Sequence, residues 1–340
     1  MMKVYKLTIR PLTSFRTPLQ SDTIFGHLLW ALCYTEGEDA LIAFLGRYRD
    51  GEPPLLISAG FPSGTLPVPV LLPRPQGKKD KEAKAKPQSC IANQVVEDML
   101  RKAREEERYL PLEQWQKIAD HLSMDASDKA RRETRQRLRQ SREEEREYPV
   151  TRTAVDRITG SAREGRLFVS DETFYGPNRT FDVWHKLDER DEGLLARLTE
   201  WWRWVERNGF GRRKSAGHGV FRIEGEGLVE AGEKLPRVDN PNGFVTLSAW
   251  VPRQGDPTDV TYRTLVKRGK LAEALALPGP WKKPLLMIEP GAVARLRDGE
   301  TVREWYGRLV EQMHWTQENI VQYGYAFPLP VRIKLSEEEA

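Results

Sequence analysis

The sequence predicts an α+β protein made of two ferredoxin-like (RRM-like) domains. The chain has 340 residues, of which 39% are hydrophobic, enough to fill two modest cores. The order strand, helix, strands, helix, strand occurs twice along the chain, and this order is typical of a split βαβ fold. We therefore expect an N-terminal domain at 1–228 and a C-terminal domain at 240–335.

Composition excludes several classes of protein. No apolar run approaches the ~20 residues that span a bilayer, and from the strand-like pattern of the first residues we expect no secretory leader. Two cysteines, Cys33 and Cys90, are too few for a disulfide framework or a four-thiolate zinc site. We expect a cytoplasmic protein with no cofactor and no membrane contact; carboxylates alone could still bind a metal.

Charge gives a weak indication of a polyanionic partner. Lysine and arginine number 54 and acidic residues 50, so the net charge is +4. Arginine supplies a planar fork for phosphate and a stacking face for bases. A GC-rich genome or a thermophilic host would explain the same composition equally well.

Local residue patterns predict the first secondary-structure elements of the chain. Apolar residues alternate over 3–10 and predict a strand. Ser21 or Asp22 is predicted to cap a helix that ends at Gly37. Two apolar runs interrupted by proline are expected as edge strands or extended segments: 55–61 and 66–72.

An insertion is predicted at 73–147, within the first domain. Residues 73–90 are rich in proline and lysine and indicate a linker. Residues 91–122 have helical spacing of apolar residues. Residues 125–147 are almost purely charged, which fits either a solvated helix or a disordered arm.

The first domain closes with a hairpin, a helix and a loop. Two strand-like arms of 148–175 flank a turn at 159–165, which predicts a β-hairpin. Residues 191–207 carry an apolar stripe and predict an amphipathic helix. A glycine-rich loop at 209–219 leads into a strand at 220–227.

The second domain is predicted to repeat this plan. In chain order we expect a strand, a short helix, a strand with a turn, an amphipathic helix and a final strand: 244–251, 265–277, 284–296, 302–313 and 322–335. The acidic end of the chain is expected to fray.

The glycine-rich loop is the most informative candidate site. Four glycines in it allow positive φ and close backbone approach, and three cations and a serine supply donors for phosphate oxygens. It joins a helix to a strand, whereas Walker and dinucleotide loops join a strand to a helix. The alternative is a flexible surface turn. The residues are Gly209, Gly211, Arg212, Arg213, Lys214, Ser215, Gly217, His218 and Gly219.

The hairpin is a second candidate. A basic arm with apolar residues can grip a backbone and wedge between bases. An ordinary hairpin packed on its own domain is equally compatible with the sequence. The residues concerned are Arg152, Val155, Arg157, Ile158, Arg163 and Arg166.

The start of the first helix is a third and weaker candidate. Arg16, Ser21 and Thr23 surround a helix N-terminus, where free amides bind phosphate. Asp22 would compete for the same amides, so a plain capping role for Ser21 or Asp22 is the favoured alternative.

Nuclease chemistry has little support in the residues. Metal-dependent cleavage needs clustered carboxylates, and the sequence has no DxD or HD pair. Metal-independent cleavage of RNA could use His27 or His218 as an acid or base, although a lone histidine on a helix more often has a structural role.

Several of these stretches together resemble the RAMP superfamily of CRISPR-associated proteins, and within it the tag-binding subunits of type III-A (Csm) effector complexes. The resemblance covers most of the chain except 125–147. It is carried by SDTIFG at 21–26, YPVTRTAVDRITG at 148–160, GRLF at 165–168, the glycine pattern at 209–219 and QYGYAF at 322–327.

The resemblance implies a non-catalytic RNA-binding subunit. It would hold the repeat-derived 5′ tag of the crRNA and touch the large Cas10-type subunit and the Csm backbone (third) subunit. Target RNA would be engaged indirectly, and the hairpin at 148–175 would be the thumb that bends the crRNA. The implied contacts are the loop, hairpin and helix-start residues given above.

Two alternatives remain open. One is a metal-independent endoribonuclease of the same superfamily that processes the crRNA precursor, with His27 as base. The other is a protein-only scaffold in which the loop and hairpin contact protein.

Overall fold

The computed structural model describes residues 2–70, 109–119, 122–123, 145–155, 157–159, 161–271 and 279–334. Within them the protein is a mixed α/β structure with mostly antiparallel sheets and few helices. The predictions for 73–90 and most of 125–147 lie outside the described residues. None of the described helices is long and apolar enough to cross a membrane.

The described helices are α1 (Ser21–Glu36), α2 (Glu38–Arg49), α3 (Leu112–Ala119) and α4 (Leu194–Asn208). The strands of the first half are β1 (Met2–Pro11), β2 (Leu55–Pro62), β3 (Thr65–Pro67), β4 (Tyr109–Pro111), β5 (Leu122–Ser123), β6 (Glu145–Val155), β7 (Ala162–Tyr175), β8 (Phe181–Asp188), β9 (Phe221–Ile223) and β10 (Val229–Glu230). Those of the second half are β11 (Gly243–Thr246), β12 (Asp259–Thr261), β13 (Thr264–Lys267), β14 (Leu285–Ile288), β15 (Val293–Arg295), β16 (Tyr306–Val310), β17 (Gln322–Ala326), β18 (Pro328–Val331) and β19 (Ile333–Lys334).

The first sheet is antiparallel and is built from strands of the first half of the chain. β1 lies between β8 and an edge formed by β9 and β10, and β2 lies beyond β8, with all pairs antiparallel. α1 leads toward β2 and α4 toward β9, as in a βαββαβ unit. The predicted apolar stripe of α4 is buried: Leu194, Leu198, Trp201, Trp202 and Val205.

The second sheet has the same order, and its described residues form strands where helices were predicted. Its strands run β12, β15, β11, β18, all antiparallel. The helix predicted at 302–313 is wrong, since 306–310 is β16 and pairs with β17. The helix predicted at 265–277 is wrong where described, because 264–267 is β13; residues 272–278 lie outside the described part.

A glycine explains why 306–310 is a strand. Val302, Trp305, Leu309 and Met313 do have helical spacing. Gly307, however, has φ +84°, and a Cβ on it would lie 2.2 Å from the carbonyl oxygen of Gly324. The close approach accompanies the pairing of β16 with β17, so pairing with a distant segment overrides the local pattern.

The predicted hairpin is confirmed. β6 and β7 pair antiparallel from Glu145↔Tyr175 to Val155↔Ala162. Its turn is shorter than predicted, because β7 starts at Ala162 and the predicted turn residue Gly165 lies within the strand. Part of the predicted helix 91–122 is also corrected, since 109–111 forms β4 against β3.

The two halves share one core. A single buried cluster contains Leu7 and Trp184 of the first half together with Leu247, Tyr323 and Phe327 of the second. Backbone bonds also cross between them, as from the Ala59 amide to the Leu247 carbonyl at 2.8 Å. The boundary between 228 and 240 remains a prediction from the sequence.

Candidate nucleic-acid interface

The glycine-rich loop has the backbone that the sequence predicts. Gly209, Gly211, Gly217 and Gly219 have φ between +69° and +83°. Arg213 also has positive φ, at +58°, a conformation uncommon for a residue with a side chain. The run of left-handed residues folds the segment between α4 and β9 into a compact turn.

Two of these glycines are required by close packing as well as by φ. A Cβ on Gly219 would lie 1.8 Å from the Phe210 carbonyl oxygen, and one on Gly211 would lie 2.7 Å from Cβ of Thr17. A Cβ on Gly217 would meet nothing within 4 Å. The base of the loop is therefore tightly packed and its tip is open.

The cations stand at this open tip. Arg212, Arg213 and Ser215 are exposed. Lys214 is half-buried, with Nζ 5.6 Å from the centroid of the Trp204 ring. The two arginines and the serine thus face solvent on one loop with Lys214 beside them, and phosphate binding by these residues stays a prediction.

The segment after β1 joins the loop to the hairpin. Phe15 and Thr173 of the hairpin exchange two backbone hydrogen bonds of 2.9 Å, and the Gly219 amide donates to the Ser14 carbonyl at 3.0 Å. The Arg212 amide donates to Oγ1 of Thr17 at 3.0 Å. The three candidate elements therefore meet in one place.

A buried polar cluster lies at this junction. Oγ of Ser14 donates to Oε2 of Glu172 at 3.1 Å and lies 2.9 Å from Nδ1 of His218. Nε of Arg16 lies 3.8 Å from Oε1 of Glu172. Glu172 is 1% exposed, so the hairpin contributes a buried carboxylate to the base of the loop. Sequence reasoning missed Ser14 and Glu172.

The start of α1 serves the contact between the halves. Gln20, not Ser21 or Asp22, is the N-cap residue, and its side chain makes no capping bond. Ser21 is fully buried, and its Oγ accepts from the Ala249 amide at 3.1 Å. Asp22 pairs with Lys267 at 2.9 Å. The predicted capping role is therefore wrong, because the side chains of Ser21 and Asp22 bond to residues of the second half of the chain instead.

Two predicted RNA contacts are affected by this arrangement. Ser21 is inaccessible, and Oγ1 of Thr23 accepts from Nζ of Lys267 at 2.9 Å. The burial of Ser21 and the bond from Lys267 to Thr23 favour a structural role for these two side chains. Of the hairpin residues, Arg157 and Ile158 lie at its exposed tip, Ile158 being 95% exposed. The side chains of Arg152, Val155, Arg163 and Arg166 are outside the described part.

His27 fastens the loop. Its Nε2 accepts from the Gly211 amide at 2.9 Å, and its ring lies 4.8 Å from that of Phe210. Burial, reinforced by the nearby Lys214, lowers the pKa of His27 to about 3. The ring is therefore neutral near pH 7, with its lone pair engaged by the loop.

Among the described residues, no group of three or more histidine, cysteine or acidic side chains could hold a metal.

A histidine held neutral by burial makes stability depend on pH. Between about pH 3 and 6.5 the unfolded chain binds more protons at His27 than the folded chain does, so the free energy of unfolding falls as pH falls. We expect His27→Gln to reduce this slope by up to about 1.4 kcal/mol per pH unit. Urea titrations from pH 4 to 7 would measure it; an unchanged slope would contradict the buried, neutral ring.

No family model and no curated protein matches this sequence. Solved structures share its fold along nearly the whole chain. A chain of the Csm3–Csm4 subcomplex in the type III-A CRISPR-Cas interference complex has a TM-score of 0.62 at 13% identity, covering 97% of this chain and 100% of that chain. A chain of the Csm1–Csm4 cassette in complex with cA4 has a TM-score of 0.54 at 16% identity, covering 98% and 100%. The chain therefore shares its fold, end to end, with a chain in each of these two complexes.

Proposed function

We propose that this chain is the crRNA 5′-tag-binding and capping subunit of a type III-A CRISPR RNA-guided effector complex in antiviral defence. In this role it bridges a large Cas10-type subunit and a backbone subunit and catalyses no reaction. Both of its sheets are interpreted as ferredoxin-like domains, the second with hairpins in place of helices.

The observation that carries the proposal is the full-length likeness in fold to chains of the Csm1–Csm4 and Csm3–Csm4 structures. Those structures pair Csm4 with Csm1 in one case and with Csm3 in the other. The shared fold supports the proposal that this chain contacts two such neighbours. The convergence of loop, hairpin and first segment supports the RNA-binding part of the proposal.

In this proposal the glycine-rich loop binds the sugar-phosphate backbone of the RNA. Its exposed arginines and open glycine tip can approach phosphate oxygens closely. The hairpin is assigned the point where tag and guide meet, since Ile158 at its tip could wedge between bases. The buried cluster around Glu172 would hold the two at a fixed separation.

Salt dependence tests the role of the loop. With about 4–6 phosphate contacts, the log–log slope of affinity against salt should be near −3 to −4. Replacing Arg212, Arg213 and Lys214 by Gln should weaken binding whatever the RNA sequence and flatten the slope by about 2. The matched control is Lys3, Lys234 and Arg237 to Gln, which removes the same charge elsewhere. Equal slopes for both triple variants would contradict the assignment.

A His27→Ala variant tests whether the chain is a nuclease. Because Nε2 of His27 is engaged by the Gly211 amide, we expect mature crRNA of unchanged length in cells carrying the variant. Northern blots of crRNA would measure this. Accumulation of precursor RNA, with the loop still binding RNA in vitro, would favour the processing enzyme instead.

A further inference from the structure

The β13–β14 ribbon presents an open outer face. Val266 and Leu286 are directly paired across the two strands and are 70% and 60% exposed. Arg268 and Lys270 lie just after β13 and are also exposed. With Trp281 these residues form what we call the ribbon face.

The ribbon is strongly basic. Its described stretches, 262–271 and 279–288, contain no acidic residue and six cations: Arg263, Lys267, Arg268, Lys270, Lys282 and Lys283. Within the described part of the chain, Arg268 and Lys270 form no ion pair. Two neighbouring cations that have no carboxylate partner among the described residues favour an anionic ligand.

An aromatic ring lies between these cations. Trp281 is 42% exposed and is bridged to Lys270 across the ribbon. Cζ of Arg268 lies 5.5 Å and Nζ of Lys270 lies 5.9 Å from the centroid of its ring. Cations around an exposed aromatic ring are what single-stranded nucleic acid requires, since phosphates meet the charges and a base stacks on the ring.

The inner face fixes the ribbon beside the candidate interface. Lys267 Nζ donates to Asp22 at 3.0 Å and to Thr23 at 2.9 Å, at the start of α1. Six residues earlier than Thr23, Thr17 accepts from the Arg212 amide of the glycine-rich loop. Six residues span at most about 20 Å, so the ribbon and the loop are fastened to neighbouring points of one segment.

We infer that the ribbon face continues the RNA-binding surface from the glycine-rich loop onto the second half of the chain. In this arrangement Arg268 and Lys270 contact phosphates, Trp281 stacks on a base, and Val266 and Leu286 pack against the sugar and base. The inference rests on the proposed function and adds a second group of contacts to it.

An acidic protein segment is the competing occupant. The two exposed aliphatic side chains would suit it. The position of the charges favours RNA, because both Arg268 and Lys270 lie close to the indole ring of Trp281. Continuity with the loop cations points the same way, since one strand of RNA can cross both.

The test uses the full chain and two fluorescent oligouridines, of about 5 and 15 nucleotides. The longer RNA can reach both surfaces and the shorter can occupy only one. Changing Arg268 and Lys270 to Gln should weaken binding of the longer RNA roughly fivefold or more and flatten its salt slope by about 1.4. Binding of the shorter RNA should change less than about twofold. Lys234→Gln with Arg237→Gln is the matched control.

Each outcome has a distinct meaning. If the ribbon variant binds the longer RNA like the control, the inference is wrong and the loop assignment stands. If the variant instead loses a co-purifying protein subunit while RNA binding is intact, the surface belongs to a protein. If the wild-type chain binds neither RNA, the proposed function itself fails. A 5-bromouridine form of the longer RNA should crosslink to Trp281 in the wild-type chain, a result that does not depend on how the variants fold; crosslinks only to other segments would overturn the inference.

Discussion

Alanine in place of Gly219 is expected to destabilise the protein by about 3 kcal/mol and to lower RNA affinity more than tenfold. The added Cβ would lie 1.8 Å from the Phe210 carbonyl oxygen, so the backbone must move. Phe210 is buried and packs against Phe15 and His27. Displacing it should disturb the contact between the loop and the segment after β1. Urea unfolding and filter binding would measure the two effects.

Gly217→Ala is the matched control. Gly217 has φ +83° and Gly219 +69°, so both alanines bear a similar left-handed strain of about 1–2 kcal/mol. Of these two glycines, only Gly219 would bring an added Cβ against a close neighbour. The difference in stability between the two variants therefore isolates the packing contact. Equal losses of stability would contradict a tightly packed loop base.

Glutamine in place of Glu172 is expected to cost about 3 kcal/mol of stability. The variant keeps the shape of the side chain but removes the buried negative charge that faces Arg16 at 3.8 Å and His218 at 3.7 Å. Because the carboxylate joins the hairpin to the loop, tag-RNA affinity should fall as well. Thermal unfolding together with filter binding of a tag RNA would measure both changes.

Glu224→Gln provides the comparison. Glu224 pairs with Arg10 at 2.9 Å, and both side chains are about one-third exposed. Loss of such a surface pair should change stability by about 0.5 kcal/mol. A similarly small effect at Glu172 would mean that the cluster does not hold the hairpin and the loop together.

Local signals predict much of the fold. The helix that ends at Gly37, the buried stripe of α4 and the hairpin arms each depend on residues close together in sequence. The left-handed glycines of the loop were also predictable from neighbouring residues, because a glycine-rich run favours positive φ.

Distant contacts explain what the sequence did not predict. Ser14 and Glu172 are 158 positions apart, and Ser14 and His218 are 204 apart. Lys267 reaches Asp22 across 245 positions, so an apparent helix cap is part of a contact between the halves. β16 has a helical pattern but pairs with β17 through Gly307. Each of these outcomes was fixed by a partner that no local pattern identifies.

The most direct test of the account is the RNA that accompanies this chain in cells. A tagged chain is purified from cells with its partners, and the bound RNA is sequenced from its 5′ end. The account predicts that a large Cas10-type subunit and a backbone subunit co-purify, with RNAs that all begin with the same repeat-derived tag. The variant in which Gln replaces Arg212, Arg213 and Lys214 should lose most of this RNA. Purified assemblies without RNA, or with RNAs of unrelated 5′ ends, would contradict the account.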